Sequence, residues 1–451
     1  MHIAIIGNGI SGITAARFIR KLSDHDITVI SAETDHFFSR TALMYIYMGH
    51  MRYADTKPYE DWFWDKNRIT LRRGFVKHVD PGARTLHFAS GPSMTYDKLI
   101  IASGSRPNKF GWPGQDLDGV QGLYSYQDLE SMERHSAGLQ RAVIVGGGLI
   151  GIEMAEMFHA RRIPVTFLVR EESFWNMVLP KEESVMVNRE ILHHGIDLRL
   201  ETELVEIIGE EQGKVCAVRT KNGELIECGF VGLTAGVHPN IAFLEGSGIE
   251  TNKGVLVDAR LRTNIEDIYA VGDCAEHRQP PQGRRPIEAI WYAGRMSGET
   301  VAHVICGHDV TYQPGIWFNS AKFFDIEYQV YGSVPAEPDP SLGQLYWEHS
   351  EGRKSVRLVY DRASGQIRGF NVMGVRYRQE VCVQWLRDQT HIHAVLQDLG
   401  LANFDPEFYR EYEHEIVALY NRQTGSDVRL RTRRGLGATL KFLRSTQSAG
   451  R

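Results

Sequence analysis

The chain has 451 residues, too many for one ordinary core, so we expect two to four domains. Hydrophobic residues make up 42% of it and charged residues 24%, which is typical of a soluble globular protein, and the net charge of −5 argues against a nucleic-acid binder. No metal-ligand or disulfide pattern, membrane span or signal peptide is recognisable, so the sequence predicts a cytoplasmic protein without a metal site.

The first predicted unit is a strand, a glycine-rich turn, a helix and a second strand. Residues 2–6 and Ile27–Ser31 are short apolar runs, as in buried strands of a parallel sheet, and a helical pattern runs from about Ser11 to Leu22. The three glycines of the turn permit a tight bend, a close approach to a pyrophosphate and close helix packing, and an acid about twenty residues later would bind a ribose hydroxyl. This unit predicts a dinucleotide site that includes Gly7, Gly9, Ile10, Ser11, Gly12 and Glu33.

The same unit returns further along the chain. Ala142–Val145 and Val165–Val169 are predicted strands, and a second glycine turn at 146–151 opens a helix that covers Ile152–Ala160. Two complete units imply two dinucleotides, for which a tightly held flavin and a diffusing nicotinamide cofactor are the natural division. The second candidate set is Gly146, Gly148, Leu149, Ile150, Gly151 and Glu153.

Other elements frame these units. Thr85–Ser90 with its Gly-Pro turn predicts a hairpin, and the pattern of the first domain resumes after about residue 250. A helix is predicted over 286–307, with Pro286 at its first position. From about 325 to 375 four runs separated by turn residues predict a β-meander, and helical sequence follows to about 420.

Several further segments resemble motifs of the pyridine nucleotide-disulfide oxidoreductase family, whose members carry FAD and use NAD(P)H. Residues 96–107 resemble its first crossover segment, 233–240 its second, and 263–275 its second FAD motif, in which Asp273 would bind the ribityl chain or the adjoining phosphate region. In the family, the helix predicted at 286–307 directs its N-terminus at the flavin. Trp291 is then a flavin neighbour or, as its helical spacing favours, a core aromatic. By resemblance, the cofactor-binding residues also include Ala102, Ser103, Gly104, Arg106, Ala235, Gly236 and Gly272.

The resemblance implies an α/β fold with two Rossmann-like, three-layer dinucleotide-binding domains and a C-terminal α+β domain. We expect a discontinuous FAD-binding domain at 1–115 and 250–318, an NAD(P)-binding domain at 116–249, a C-terminal domain at 319–420 and a basic tail at 421–451. The C-terminal domain often forms the dimer interface in the family, so a homodimer is one expectation.

The chain departs from the disulfide-reducing members of that family. No cysteine precedes Cys216, and Thr41 stands where peroxidase-type members have theirs, so no thiolate is expected beside the flavin. The segment resembles instead the Arg-x-x-Leu of the rubredoxin, ferredoxin and nitrite reductase branch, in which Arg40 would contact FAD. The glutamate of that branch, near flavin N5, is Glu153, but Tyr45 replaces the lysine that pairs with it.

The choice of nicotinamide cofactor depends on the end of the second predicted unit. NADH-selective members carry an acid at about position 169, where this chain has valine, and Arg170 follows. An arginine there favours NADPH through a charge-assisted contact with the 2′-phosphate. NADH remains an alternative, because Glu171 and Glu172 would repel that phosphate.

The resemblance implies an FAD-dependent NAD(P)H oxidoreductase that passes electrons to a ferredoxin- or rubredoxin-like protein, a quinone or another small oxidant, without a redox-active disulfide. Two alternatives stay open: a membrane-associated NAD(P)H:quinone oxidoreductase, and a non-enzymatic redox sensor resembling the apoptosis-inducing factor. The first rests on the mixture of basic and apolar residues in 429–444. The segment 421–451 has eight basic residues and one acid, so weak contact with an acidic partner or a membrane is expected there.

Overall fold

The structure is a computed structural model that describes residues 1–404 and 410–431. The chain divides into two compact units, of which the first is Met1–Gly315 and the second begins at Ile316. The contacts expected of the basic tail fall mostly on 432–451, outside the described residues. Within the described part, no helix has both the length and the apolar character needed to cross a bilayer.

The first unit contains both strands and helices. Its helices are α1 (Ile10–Leu22), α2 (Leu43–Tyr47), α3 (Trp62–Lys66), α4 (Tyr126–Ser136), α5 (Leu149–Ala160), α6 (Lys181–His193) and α7 (Trp291–Ile305). Its strands are β1 (His2–Ile6), β2 (Asp26–Ser31), β3 (Ile69–Arg73), β4 (Val76–Asp80), β5 (Thr85–Phe88), β6 (Met94–Thr95), β7 (Lys98–Ile101), β8 (Ser105–Pro107), β9 (Val120–Gln121), β10 (Ala142–Val145), β11 (Val165–Leu168), β12 (Asp197–Arg199), β13 (Leu204–Gly209), β14 (Val215–Thr220), β15 (Leu225–Glu227), β16 (Phe230–Leu233), β17 (Val237–Pro239), β18 (Val255–Val257), β19 (Ile268–Ala270) and β20 (Ala275–His277).

The first parallel sheet has the order β19-β7-β1-β2-β3. Ile3 pairs with Ile27 on one side and Ile5 with Ile100 on the other, so β1 is central. Strands covered on both faces are continuously apolar, which is why the runs at 2–6 and 27–31 were recognisable. The predicted strands and the helix between them are confirmed. The strand β19 joins this sheet although the whole second sheet precedes it in sequence.

The helices α1 and α7 pack closely beside this sheet. A Cβ atom on Gly298 would collide with the carbonyl oxygen of Ser11, so glycine lets the two backbones approach. The predicted start of this helix at Pro286 is wrong, because α7 begins at Trp291. The preceding segment is extended: the Pro286 carbonyl accepts a hydrogen bond from the His277 backbone (2.9 Å), and Ile290 has φ −135° and ψ 147°.

The second parallel sheet has the order β12-β11-β10-β16-β9, and β13-β14-β15 form an antiparallel sheet of their own. The carboxyl ends of β10, β11 and β16 therefore lie at one edge, where ligands bind in open α/β sheets. The predicted strand–helix–strand unit at 142–169 is confirmed, with α5 beginning at Leu149.

The second unit is an antiparallel sheet with helices. Its elements are β21 (Phe318–Phe323), β22 (Ile326–Gly332), β23 (Leu342–Glu348), β24 (Ser355–Asp361), β25 (Ile367–Met373), α8 (Gln379–Arg387), α9 (Ile392–Gln397) and α10 (Glu413–Thr424). The order β21-β22-β25-β24-β23 corrects the predicted meander, because β22 pairs with β25 and not with β23. The strand β25 is buried along nearly its whole length, which suits the central place, whereas β21 has one buried residue among partly exposed and exposed ones and gave no clear pattern.

Candidate functional site

A cavity of about 690 Å³ opens in the first unit at the carboxyl ends of β1 and β7. Its volume is within the ordinary range for ligand sites. Residues from both glycine turns line it, together with the segments that follow β2, β7 and β19. The predicted site residues that line it are Gly7, Gly9, Ile10, Ser11, Glu33, Arg40, Ala102, Ser103, Gly104, Arg106, Leu149, Ile150, Glu153, Asp273 and Trp291.

The other predicted site residues do not line this cavity. Two of them serve close packing, since a Cβ atom on Gly12 would collide with the Gly7 carbonyl and one on Gly272 with the Ser11 hydroxyl. Five lie at the carboxyl edge of the second sheet, on the turn after β10 or the segment after β16: Gly146, Gly148, Gly151, Ala235 and Gly236. The last, Arg170, lies just after β11 with 70% of its side chain exposed and pairs with Glu171 at 2.8 Å.

The N-terminus of α1 faces the cavity without a capping side chain. Its N-cap is Gly9, and the first turn contains no acidic residue. The backbone N–H groups of a first helical turn have no partners within the helix, and the helix dipole adds positive potential there. Because Gly9, Ile10 and Ser11 line the cavity, this end of it suits a phosphate group.

A two-point ion pair joins two of the predicted residues. Arg40 donates from Nη1 to Glu33 Oε1 at 2.8 Å and from Nη2 to Oε2 at 2.6 Å. The backbone N–H of Tyr126 also donates to Glu33 Oε1, at 2.8 Å. Burial lowers the pKa of Arg40, but the hydrogen bonds and charge of Glu33 outweigh it, so the pKa is raised and the side chain stays charged.

Asp273 lies in a short 3-10 turn at Gly272–Cys274 and faces the cavity. It accepts hydrogen bonds from the Tyr124 hydroxyl (3.2 Å) and the Ser105 hydroxyl (3.4 Å). Burial raises the pKa of Asp273, although these two hydroxyls and the charge of Arg40 act in the opposite direction.

Tyr124 is a cavity residue that sequence analysis missed. Its hydroxyl accepts a hydrogen bond from the Ser105 backbone (2.9 Å), its carbonyl accepts one from Arg40, and the Arg40 guanidinium lies 4.6 Å from the centre of its ring. Burial raises the pKa of this hydroxyl, which keeps it a donor. Tyr124 precedes α4 and belongs to no recognised motif, so only its position in space reveals this role.

Glu153 lies on α5, two residues after the second glycine turn, and lines the cavity together with residues of the first turn. Within the described residues it has no hydrogen-bond or ion-pair partner. Burial, followed by the nearby charge of Glu156, raises the pKa of Glu153 from 4.5 to about 7. Tyr45 does not line the cavity, and its ring stacks on His50 with the centroids 6.2 Å apart.

Trp291 is the first residue of α7 and lies at the cavity. Its side chain is 37% exposed, so the interpretation of Trp291 as a core aromatic is wrong. The helical spacing that favoured a core position did not apply, because the helix begins at this residue.

None of the five cysteines, all of them within the described residues, lines the cavity, and all are free. Thr41, which stands at the position of the cysteine in peroxidase-type members of the family, lines the cavity. Cys274 follows Asp273 directly but is buried, with its sulfur near the carbonyl oxygens of Ile101 and Val271. Burial raises the pKa of this thiol, which disfavours the reactive thiolate.

Comparison with known proteins shows the family to which the sequence belongs and a solved structure with a similar fold. The model of the pyridine nucleotide-disulphide oxidoreductase family matches residues 1–297. A ferredoxin reductase subunit of a 5,5′-dehydrodivanillate O-demethylase from a Sphingobium species is 30% identical over 342 residues, 74% of this chain and 82% of that protein. The assimilatory nitrate reductase electron transfer subunit of Bacillus subtilis is 28% identical over 370 residues, 81% of this chain. The match covers 47% of that subunit, so this chain spans about half of its length.

A solved structure resembles the described fold along most of the chain. The NAD-dependent persulfide reductase from A. fulgidus aligns with a TM-score of 0.82 at 23% identity, over 94% of this chain and 84% of that one. At this identity the likeness concerns the fold alone.

Proposed function

Because the chain belongs to the pyridine nucleotide-disulphide oxidoreductase family, we propose that it is an FAD-dependent oxidoreductase that accepts hydride from NAD(P)H and passes electrons to an electron-transfer protein. One observation carries this proposal. Leu149, Ile150 and Glu153 extend from the second glycine turn into the cavity lined by the first turn. A nucleotide held at the second turn would therefore reach a ligand held at the first.

The residues around the cavity fit FAD. The uncapped N-terminus of α1 suits its pyrophosphate, Asp273 suits the hydroxyls of the ribityl chain, and Glu33 with Arg40 suits the ribose end. A Cβ atom on Gly9 would have no protein atom within 4 Å, so the turn leaves space at the point of backbone approach. Bound there, FAD would supply the capacity to accept a hydride and return its electrons one at a time.

The second glycine turn would bind the nicotinamide cofactor. The helix α5 also begins without a capping side chain, at Gly148, and a Cβ atom on Gly146 would collide with the backbone of Thr234 and Ala235. Glu153 would orient the carboxamide group, and Arg170 would contact the 2′-phosphate of NADPH. These roles correspond to an FAD-binding domain at 1–115 and 250–318 and an NAD(P)-binding domain at 116–249.

The acceptor in this proposal is a ferredoxin- or rubredoxin-like carrier. Support comes from the names of the two relatives, a ferredoxin reductase subunit and an electron transfer subunit. The absence of any cysteine from the cavity agrees with a reaction that needs no redox-active disulfide.

The test is anaerobic stopped-flow reduction by NADH or NADPH, followed by reoxidation with ferredoxin, rubredoxin, quinones or oxygen. We expect rapid bleaching of the flavin and the fastest reoxidation by a protein carrier. A folded protein that neither contains nor takes up FAD would refute the proposal.

A pair of glycine variants separates the two nucleotide sites. Gly9 and Gly148 both have open space where a Cβ atom would be, so alanine fits the protein itself and obstructs only a bound nucleotide. Gly9→Ala should lose FAD, and Gly148→Ala should keep FAD but raise KM for NAD(P)H by about tenfold. Gly400→Ala, in the second unit and also without close neighbours, is the matched control.

A further inference from the structure

Three titratable side chains follow one another along α5 at every third position, starting from the cavity. Glu153, Glu156 and His159 are spaced three residues apart, and residues three apart are neighbours on a helix surface. At 1.5 Å per residue they cover about 9 Å along the helix axis. No predicted motif accounts for the last two.

The surroundings of these groups change from the cavity outwards. Glu153 lines the cavity, Glu156 is 9% exposed, and His159 is partly exposed near the end of α5. The His159 ring lies against His194, with the centroids 5.3 Å apart, and His194 Nε2 lies 3.1 Å from the Glu190 carboxylate on α6. The series thus begins at the proposed reaction site and ends among partly exposed histidines.

The charges of these groups act on one another in sequence. The charge of Glu156 raises the pKa of Glu153 and also acts on His159. Burial lowers the pKa of His159, and the neighbouring His194 lowers it further. His193 also lies beside the outer end, with its ring 5.7 Å from that of His194. A carboxyl group such as that of Glu153, with its pKa raised to about 7, can accept and release a proton near neutral pH, and imidazole groups commonly relay protons in proteins.

We propose that Glu153, Glu156 and His159 form a proton path along α5 that connects the cavity with the outside of the first unit. This rests on the proposed function. A hydride consists of two electrons and a proton, and a carrier that accepts electrons alone leaves that proton behind. A ligand that fills the cavity excludes water, so the proton left in the cavity would be accepted by the Glu153 carboxylate and then passed to Glu156, to the His159 imidazole and to solvent.

The first test measures protons directly. The flavin-loaded protein, reduced by one equivalent of NAD(P)H, is mixed with ferricyanide, which accepts single electrons, in weak buffer with a pH indicator. Wild-type protein should release one proton per electron pair as the flavin is reoxidised. Glu156→Gln and His159→Gln should slow this release by on the order of a hundredfold and leave the preceding hydride transfer unchanged.

A second test needs no turnover. Infrared spectra after transfer of the oxidised, flavin-loaded protein into D₂O follow exchange at the protonated carboxyl that disappears in Glu153→Gln. Exchange should be slow in Glu156→Gln and His159→Gln, and imidazole should restore it in His159→Ala. Glu299→Gln and His303→Gln, on α7 and away from the path, are the controls.

Proton release and carboxyl exchange at wild-type rates in both path variants would overturn the proposal. A wild-type flavin that NAD(P)H cannot reduce would instead refute the proposed function, and the infrared exchange would still decide whether the path exists.

Discussion

Arg40 and Glu33 meet edge to edge at the cavity, with two parallel hydrogen bonds of 2.8 and 2.6 Å between guanidinium and carboxylate. Both residues follow β2, and the Tyr126 backbone at the start of α4 is bound to the same carboxylate. The Glu33 carboxylate therefore connects the segment after β2 to α4, the helix that precedes β10 and the second glycine turn.

We expect Arg40→Lys to weaken FAD binding. A lysine keeps the charge but cannot make the two-point contact, and a lost hydrogen bond to a charged group costs about 1.5–3 kcal/mol. Flavin retention on dialysis and the Kd of the apoprotein would show this. Arg52→Lys, at an exposed pair with Asp55, is the control and should retain flavin as wild type does.

Tyr124→Phe should also weaken FAD binding, by a smaller amount. The ring under Arg40 remains, but Asp273 loses a hydrogen bond worth about 0.5–1.5 kcal/mol, which corresponds to roughly a two- to tenfold rise in Kd. Tyr53→Phe, whose hydroxyl donates to the His36 carbonyl at 3.4 Å and also interacts with the Thr34 side chain, serves as the comparison. Equal affinity for FAD in both variants would show that the Tyr124 hydroxyl does not contribute to FAD binding.

Glu153 should make stability depend on pH in the flavin-free protein. Its folded pKa, about 7, exceeds the ordinary value of 4.5, so between these values the folded chain holds a proton that the unfolded chain releases. Stability contributed by this group is therefore present below about pH 4.5, falls as the pH rises towards 7 and is constant above it. Urea midpoints of Glu153→Gln should lack this fall. Identical pH profiles for variant and wild type would contradict the raised pKa.

Gly298→Ala should destabilise the first unit, because its Cβ atom would collide with the Ser11 carbonyl on α1. Overpacking at such a contact costs about 1–3 kcal/mol. Since Ser11 belongs to the turn proposed to bind FAD, the variant should lose flavin at a lower temperature, measured by flavin fluorescence during thermal unfolding. If Gly298→Ala released flavin at the same temperature as wild type, the helices α1 and α7 could accommodate the added Cβ atom without loss of stability.

Arg170→Ala should raise KM for NADPH far more than KM for NADH, because only NADPH carries the 2′-phosphate that this exposed side chain would contact. Steady-state kinetics with both cofactors test this. Glu171→Gln frees Arg170 from its 2.8 Å ion pair and should lower KM for NADPH. Equal effects of the arginine variant on both cofactors would reject the assignment.

The sequence predicted the parallel strands well because they are buried on both faces, as at residues 2–6, where nearly every position is apolar. The glycine turns were predictable because their spacing has a steric cause, visible in the collision a Cβ atom at Gly12 would make. The antiparallel order of the second unit was not, since pairing between β22 and β25 depends on long-range contacts that local alternation does not encode.

The site was predicted where a residue belongs to a motif and missed where it does not. Asp273 and Arg40 lie in recognisable segments, but Tyr124 joins them only through folding of the chain. The predicted start of α7 was wrong because the segment before Trp291 is extended. The Pro286 carbonyl accepts a hydrogen bond from the His277 backbone, and local helix propensity does not reveal this contact.

The place of β19 in the first sheet has a consequence for biosynthesis. All five strands of the second sheet lie between residues 120 and 233, so a growing chain can complete that sheet first. The first sheet must wait for β19 and for α7, which ends at Ile305, although its central strand is synthesised before any strand of the second sheet. Throughout that interval the backbone N–H and C=O groups along the edge of β7 that later pairs with β19 have no partner strand, and an unpaired edge of this kind favours aggregation of a nascent chain.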